Sequence, residues 1–94
     1  MRQVIKTGKP FNAEVRTYDK CKYRRDSVRT SKTVFEEVDY LEILSGEEAV
    51  EEESKMFSWE FDDLGEYVII HFTDDSTARF QNSRVDVFKV DKAA

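Results

Sequence analysis

Residues 66–80 read EYVIIHFTDDSTARF, and this stretch decides the fold of the chain. Its first half is rich in residues that favour strands, and both alternating faces are largely apolar: Val68, Ile70 and Phe72 lie on one, Tyr67, Ile69 and His71 on the other. Asp74, Asp75 and Ser76 are turn-forming residues, and residues 77–80 resume the alternation. The stretch therefore predicts a β-hairpin whose first strand lies inside a sheet.

The rest of the chain indicates a mostly β protein, either all-β or α+β. Residues 2–7, 38–44, 55–61 and 85–90 alternate as strands do, and polar turns separate them. This spacing predicts a small antiparallel sheet or an SH3/OB-like barrel. The predicted core consists of large apolar residues from the last four strands: Phe57, Trp59, Phe61, Val68, Ile70, Phe72, Phe80 and Val87.

Two segments are open to more than one interpretation. Residues 11–25 have apolar side chains at both helical and strand spacing, after a predicted strand end at Gly8 and Pro10. Thr33 and Glu36 have the spacing of a helix capping box, although the residues that follow alternate as a strand. One short helix is therefore possible within 11–25 or 34–42, and residues 26–33 are predicted to form a loop.

Length and composition predict one domain over residues 1–94, with an acidic, flexible excursion at 46–54 and a frayed tail at 91–94. No apolar run approaches the roughly 20 residues of a membrane span. The single cysteine, Cys21, forms no internal disulfide framework and agrees with a reducing compartment. We expect a cytoplasmic protein without a membrane partner.

Charge is strongly segregated along the sequence. Residues 1–33 carry ten Lys or Arg and three acids, whereas residues 34–66 carry one Lys and thirteen acids. Residues 67–94 have four charges of each sign, and the formal net charge of the chain is −5. Two surfaces of opposite sign are therefore expected, unless the fold pairs the basic third with the acidic third.

Few residues offer catalytic or metal chemistry. His71 and Cys21 could form a base and nucleophile only if the fold brought them together, and no local motif supports that arrangement. The scattered glycines exclude a phosphate-binding loop. Aspartates in the turns on either side of 66–72 would be about 20 Å apart, too far for one metal ion. We therefore predict a protein with no enzymatic activity, cofactor or metal.

The acidic segment predicts binding to a protein partner with a basic surface. Clustered carboxylates on a compact domain attract such a partner over long range, although they also serve simply to keep a protein soluble. The candidate contact residues are Glu36, Glu37, Glu47, Glu48, Glu51, Glu52 and Glu53.

The basic segment predicts the alternative function, a small β-barrel that binds nucleic acid. Basic residues interleaved with aromatic residues can follow phosphates and stack on bases, although the net negative charge opposes a polyanion. The candidate residues are Arg16, Lys20, Lys22, Tyr23, Arg24, Arg25, Arg29 and Lys32.

Two stretches resemble small uncharacterised proteins encoded on bacterial phages and conjugative elements. They are TVFEEVDYLEI at 33–43 and YVIIHFTDDSTARFQNSRVDVF at 67–88. The resemblance implies an accessory protein of a mobile element, and small acidic proteins of that origin often bind and inhibit host defence enzymes. It supplies no catalytic motif and no named target.

Overall fold

The computed structural model describes residues 2–49 and 66–90, which form one antiparallel five-stranded sheet. The strands are β1 (Arg2–Tyr18), β2 (Arg29–Leu44), β3 (Tyr67–Phe72), β4 (Thr77–Gln81) and β5 (Val85–Val90). A 3-10 turn at Asn82–Arg84 connects β4 to β5, and the described residues contain no long helix. The mostly β prediction is confirmed, as are the hairpin at 66–80 and the last strand.

The sheet is curled. Its strand order is β4-β3-β2-β1-β5, so β4 and β5 are its two edges. In a flat sheet these edges would be about 19 Å apart, whereas the four chain steps from Gln81 to Val85 reach at most about 14 Å. The rings of Phe35 on β2 and Phe80 on β4 also meet inside the curl, 6.1 Å apart by their centroids. This closure brings the end of β4 next to the start of β5.

The two longest strands bend where their register shifts. Between Lys6 and Phe11, β1 contains extra residues that β2 does not match, and Gly8 there has φ +80°. On β2, Glu37 has φ 57° at a second irregularity. These bends let each strand contribute to both halves of the curled sheet.

Three boundary predictions in this region are wrong. Gly8 and Pro10 do not end the first strand but lie in its irregular middle, because a bulge absorbs residues that would otherwise break the ladder. The helical alternatives for 11–25 and 34–42 are also wrong, since residues 11–18 and 34–42 are strand. The predicted loop at 26–33 ends early, because β2 already begins at Arg29.

The main core lies inside the curl. Its buried members come from four strands: Phe11, Ala13, Val15, Val38, Leu41, Ile70 and Val85. The predicted core residues Val68 and Ile70 are buried, and Phe72, Phe80 and Val87 pack against this core. Each fully buried aliphatic side chain contributes about 1.5–3 kcal/mol to folding. The predicted core residues Phe57, Trp59 and Phe61 lie outside the described residues.

A second buried cluster covers the opposite face of β2 and β3. It contains Leu44, Ala49, Tyr67 and Ile69. This cluster explains why both faces of β3 are apolar, and it confirms that β3 lies inside the sheet, between β2 and β4. Beyond β2, Gly46 has φ +65° and residues 47–49 are helical, whereas the rest of the predicted excursion at 46–54 lies outside the described residues.

Candidate interaction surfaces

Four exposed acidic residues lie on neighbouring backbone segments where the bend of β2 approaches the β3–β4 turn. The backbone N–H of Thr73 donates to the carbonyl of Glu37 at 3.0 Å, which places Glu36 and Glu37 beside Asp74 and Asp75. We call this group of four acids the acidic end: Glu36, Glu37, Asp74 and Asp75. The last two come from the turn of the 66–80 hairpin. Within the described ranges, Glu36, Asp74 and Asp75 take part in no ion pair.

Asp74 is held at the turn by hydrogen bonds that favour its charged form. Ser76 donates its backbone N–H to Asp74 Oδ1 at 2.9 Å, and its hydroxyl donates to the same oxygen. These bonds, with the hydroxyl contributing most, lower the pKa of Asp74 below its ordinary value. Asp75 has φ 70° at this turn, a conformation that Asp and Asn tolerate better than most residues. The same turn chemistry that closes the hairpin thus holds negative charge at its tip.

The other predicted acidic residues are not part of this end. Glu47 is exposed and Glu48 is half-buried, just after β2. Seven residues of β2, about 23 Å of strand, separate Glu37 from Leu44, so the acidic segment is not one continuous patch among the described residues. Glu51, Glu52 and Glu53 lie outside the described residues.

The predicted basic residues gather around the far end of the β1–β2 hairpin. On the outer face of the sheet, Arg16 and Lys32 are cross-strand neighbours that share one carboxylate. Arg16 Nε lies 2.7 Å from Glu14 Oε2, and Lys32 Nζ lies 3.4 Å from Glu14 Oε1. The hydrogen bond from Arg16 is the main cause of the lowered pKa of Glu14, which is buried beneath its two partners.

The loop at 19–28 is held by its own aspartates. Asp19 accepts the N–H of Val28 at 2.7 Å, and this bond is the largest cause of the lowered pKa of Asp19. Asp26 pairs with Lys20 at 2.6 Å and with Arg24 at 3.3 Å, and the hydrogen bond from Lys20 lowers its pKa. Much of the positive charge predicted to bind a partner therefore stabilises the loop itself.

Asp86 on β5 connects this loop to the sheet. Tyr18 donates its hydroxyl to Asp86 Oδ2 at 2.6 Å, and Lys22 Nζ lies 3.2 Å from Oδ1. The Tyr18 hydrogen bond lowers the pKa of Asp86 and raises that of Tyr18. The ammonium group of Lys22 also donates a hydrogen bond to the carbonyl of Val85 at 2.9 Å. Its backbone N–H donates to the carbonyl of Ser83 at 2.7 Å. The basic loop is thereby fixed against the start of β5.

Two exposed aromatic rings accompany these basic residues. Tyr23 is 76% exposed, with Lys22 Nζ 5.4 Å from its ring centroid. Phe88 is 43% exposed, with Arg16 Cζ 4.7 Å from its centroid. Arg25 and Arg29 are exposed at the loop and the start of β2, and neither is in an ion pair within the described part of the chain.

His71 and Cys21 do not form a dyad in the described structure. His71 Nε2 lies 3.1 Å from Glu42 Oε1, and its ring stacks on Tyr40 with centroids 4.1 Å apart. Arg2 forms an ion pair with the other oxygen of the buried Glu42 carboxylate. Cys21 instead lies in the β1–β2 loop, before β2 begins. His71 is paired with Tyr40, which is about ten residues further along β2. Residues 2–49 and 66–90 also contain no group of three potential metal ligands.

Sequence reasoning missed Phe88 and the two turn aspartates as surface residues. Phe88 lies on the outer face because β5 pairs with β1 in a register that sets it opposite Glu14. Asp74 and Asp75 join the acidic end because a bulged strand far away in sequence reaches their turn. Both relationships depend on register between distant strands, which local patterns do not specify.

Comparison of the chain with known protein families, with characterised proteins and with solved structures finds no match in any of the three. In the described ranges, no helix combines the length and apolar character that crossing a membrane requires.

Proposed function

We propose that this chain is a non-enzymatic, cytoplasmic binding protein whose acidic end contacts a basic surface on another protein. The observation that supports the proposal is the 3.0 Å bond between Thr73 N–H and the Glu37 carbonyl, which joins two pairs of exposed acids from different hairpins. Four carboxylates at one place on a sheet steer a basic partner and fix its orientation more effectively than the same charges dispersed.

The resemblance to proteins of mobile elements suggests the biological setting. In that setting the partner is a host protein with a basic surface, such as a defence enzyme, and binding inhibits it. The hydrogen bonds of the backbone under the acidic end favour such a role, because a surface that is already ordered loses little conformational entropy on binding.

Affinity capture from a nuclease-treated bacterial lysate tests the proposal. The acidic-end variant carries Glu36→Gln, Glu37→Gln, Asp74→Asn and Asp75→Asn. A control variant, matched in net charge, carries Glu47→Gln, Glu51→Gln, Glu52→Gln and Glu53→Gln. We expect one protein to be retained in stoichiometric amount by the natural chain and the control, and lost by the acidic-end variant.

Binding of the purified partner is then measured by calorimetry at several salt concentrations. Affinity should fall as salt rises, because exposed charges are screened within about 8–10 Å at physiological ionic strength. Loss of the partner in the control variant alone would instead assign the contact to residues 47–53. Equal retention by all three chains would contradict a charge-directed role for either group.

A further inference from the structure

We infer that the protein has a second binding surface, which takes single-stranded nucleic acid. This surface, called the basic–aromatic strip here, comprises Arg16, Lys22, Tyr23, Arg25, Arg29, Lys32 and Phe88. It is well separated from the acidic end. Arg29, at the start of β2, is seven residues from Glu36 on the same strand, which is about 23 Å. The inference is independent of the proposed protein partner.

Five members of the strip are connected on the outer face of the sheet through Glu14 and Asp86: Arg16, Lys22, Tyr23, Lys32 and Phe88. Arg16 is the cross-strand neighbour of both Lys32 on β2 and Asp86 on β5. Lys22 contacts Asp86, which brings Tyr23 to the same side. Phe88 is two residues further along β5, about 7 Å from Asp86, so a bound strand would meet both aromatic rings in succession.

The strip keeps excess positive charge after its internal ion pairs are counted. Residues 16–32 contain seven Lys and Arg side chains. The nearby carboxylates number four: Glu14, Asp19, Asp26 and Asp86. Three positive charges are therefore in excess. Arg25 and Arg29 are outside these pairs among the described residues. Phosphates are therefore attracted to the strip although the whole chain is acidic.

The exposed rings favour a single strand over a duplex or an acidic peptide. Tyr23 and Phe88 each present a ring that carries a neighbouring cation, at 5.4 and 4.7 Å from the centroid. Unpaired bases stack on such rings while cations follow the phosphates, whereas the bases of a duplex are already stacked on one another. An acidic peptide would use the cations and leave the rings without a partner.

Fluorescence anisotropy tests this inference with labelled dT20 and rU20, a labelled 20-base-pair duplex, and a labelled poly-glutamate peptide of similar charge. We expect either single strand to bind more tightly than the duplex and the peptide. The logarithm of the association constant should fall with the logarithm of salt concentration with a slope of about −2, the value for three neutralised phosphates on a single strand.

Three variants separate stacking from charge. Tyr23→Ala should weaken binding of dT20 about tenfold, because base stacking on one aromatic ring is worth that order of affinity. Arg25→Gln with Arg29→Gln should weaken binding and reduce the salt slope. Val28→Ala is the matched control for an exposed side chain of the same loop, since Val28 is 61% exposed and has no ring. It should leave binding unchanged.

The results also separate this inference from the proposed function. Neutralising the acidic end should leave binding of dT20 equal or stronger, while it abolishes capture of the protein partner. Failure to bind either single strand at low salt would overturn the inference. Equal binding of single strand, duplex and poly-glutamate without an effect of Tyr23→Ala would also overturn it, because simple ionic attraction would then account for the data.

Discussion

Tyr18 and Asp86, which are 68 positions apart in sequence, are joined by a hydrogen bond of 2.6 Å between the phenol and the carboxylate. The bond connects the end of β1 to the start of β5, just after the 3-10 turn that closes the curl of the sheet. The same carboxylate holds Lys22, so one side chain fixes both the edge strand and the basic loop.

Replacing Tyr18 by Phe should lower the free energy of unfolding by about 1 kcal/mol. Asp86 retains Lys22 as a partner and is partly solvated, which keeps the cost below the range of about 1.5–3 kcal/mol for hydrogen bonds to charged groups. Urea denaturation followed by circular dichroism measures the change. Tyr23→Phe is the control, because Tyr23 is 76% exposed, and it should leave the midpoint unchanged. A Tyr18→Phe protein as stable as the natural chain would show that the bond contributes nothing to closure.

Stability should fall in acid and, separately, in strong base. The folded-state pKa values of Glu14, Asp19 and Asp86 are lowered, so the unfolded chain binds more protons as pH falls through the ordinary carboxyl range of about 4. Their contribution is complete above that range and is lost below it. Tyr18 has a raised pKa, so its contribution is complete below about pH 10 and is lost above.

Urea midpoints between pH 3 and about pH 11.5 measure both limbs. The natural chain should be most stable at intermediate pH and lose stability from about pH 5 downwards. Asp86→Asn should lower the midpoint at pH 7 and make the acid limb shallower, because its carboxyl no longer titrates. A natural chain whose midpoint is constant from pH 7 to pH 3 would contradict the assignment of these pKa shifts.

Local patterns predicted the fold class, the 66–80 hairpin and the last strand, because alternation and turn residues are encoded over a few positions. They failed for residues 2–18 and 29–37, where two long strands continue through Gly8 and Glu37. A bulge tolerates residues that end an ordinary strand, and the partner strand that stabilises it lies far away in sequence. The surfaces were predicted as charge segments. The bond that brings the turn of Asp74 and Asp75 to Glu37, and the contact of Phe88 with Arg16, depend on the register between distant strands.

Gly8 provides a direct test of the bend in β1. Its φ of +80° is strained for a residue with a side chain, although a Cβ there would meet no atom within 4 Å. Gly8→Ala should therefore destabilise the fold by about 1 kcal/mol through backbone strain alone, and Gly8→Asn should cost less, because Asn tolerates this region better. Thermal unfolding of the three chains gives the order. An alanine variant at least as stable as the natural chain would show that the bend does not require positive φ.

Glu42 is a buried carboxylate whose partners, Arg2 and His71, both reach solvent. Glu42→Ala should destabilise the protein by about 1–2 kcal/mol, below the 3–5 kcal/mol typical of breaking a fully buried ion pair. The cost is smaller because both partner side chains reach solvent once Glu42 is removed, so no uncompensated charge stays buried. Glu36→Ala, on the same strand but exposed, should change stability by less than about 0.5 kcal/mol. Urea denaturation compares the two variants.

A loss of 4 kcal/mol or more for Glu42→Ala would mean that one partner is trapped as an unpaired charge. Equal small effects of the two substitutions would mean that the contacts of Glu42 with Arg2 on β1 and His71 on β3 do not stabilise the sheet.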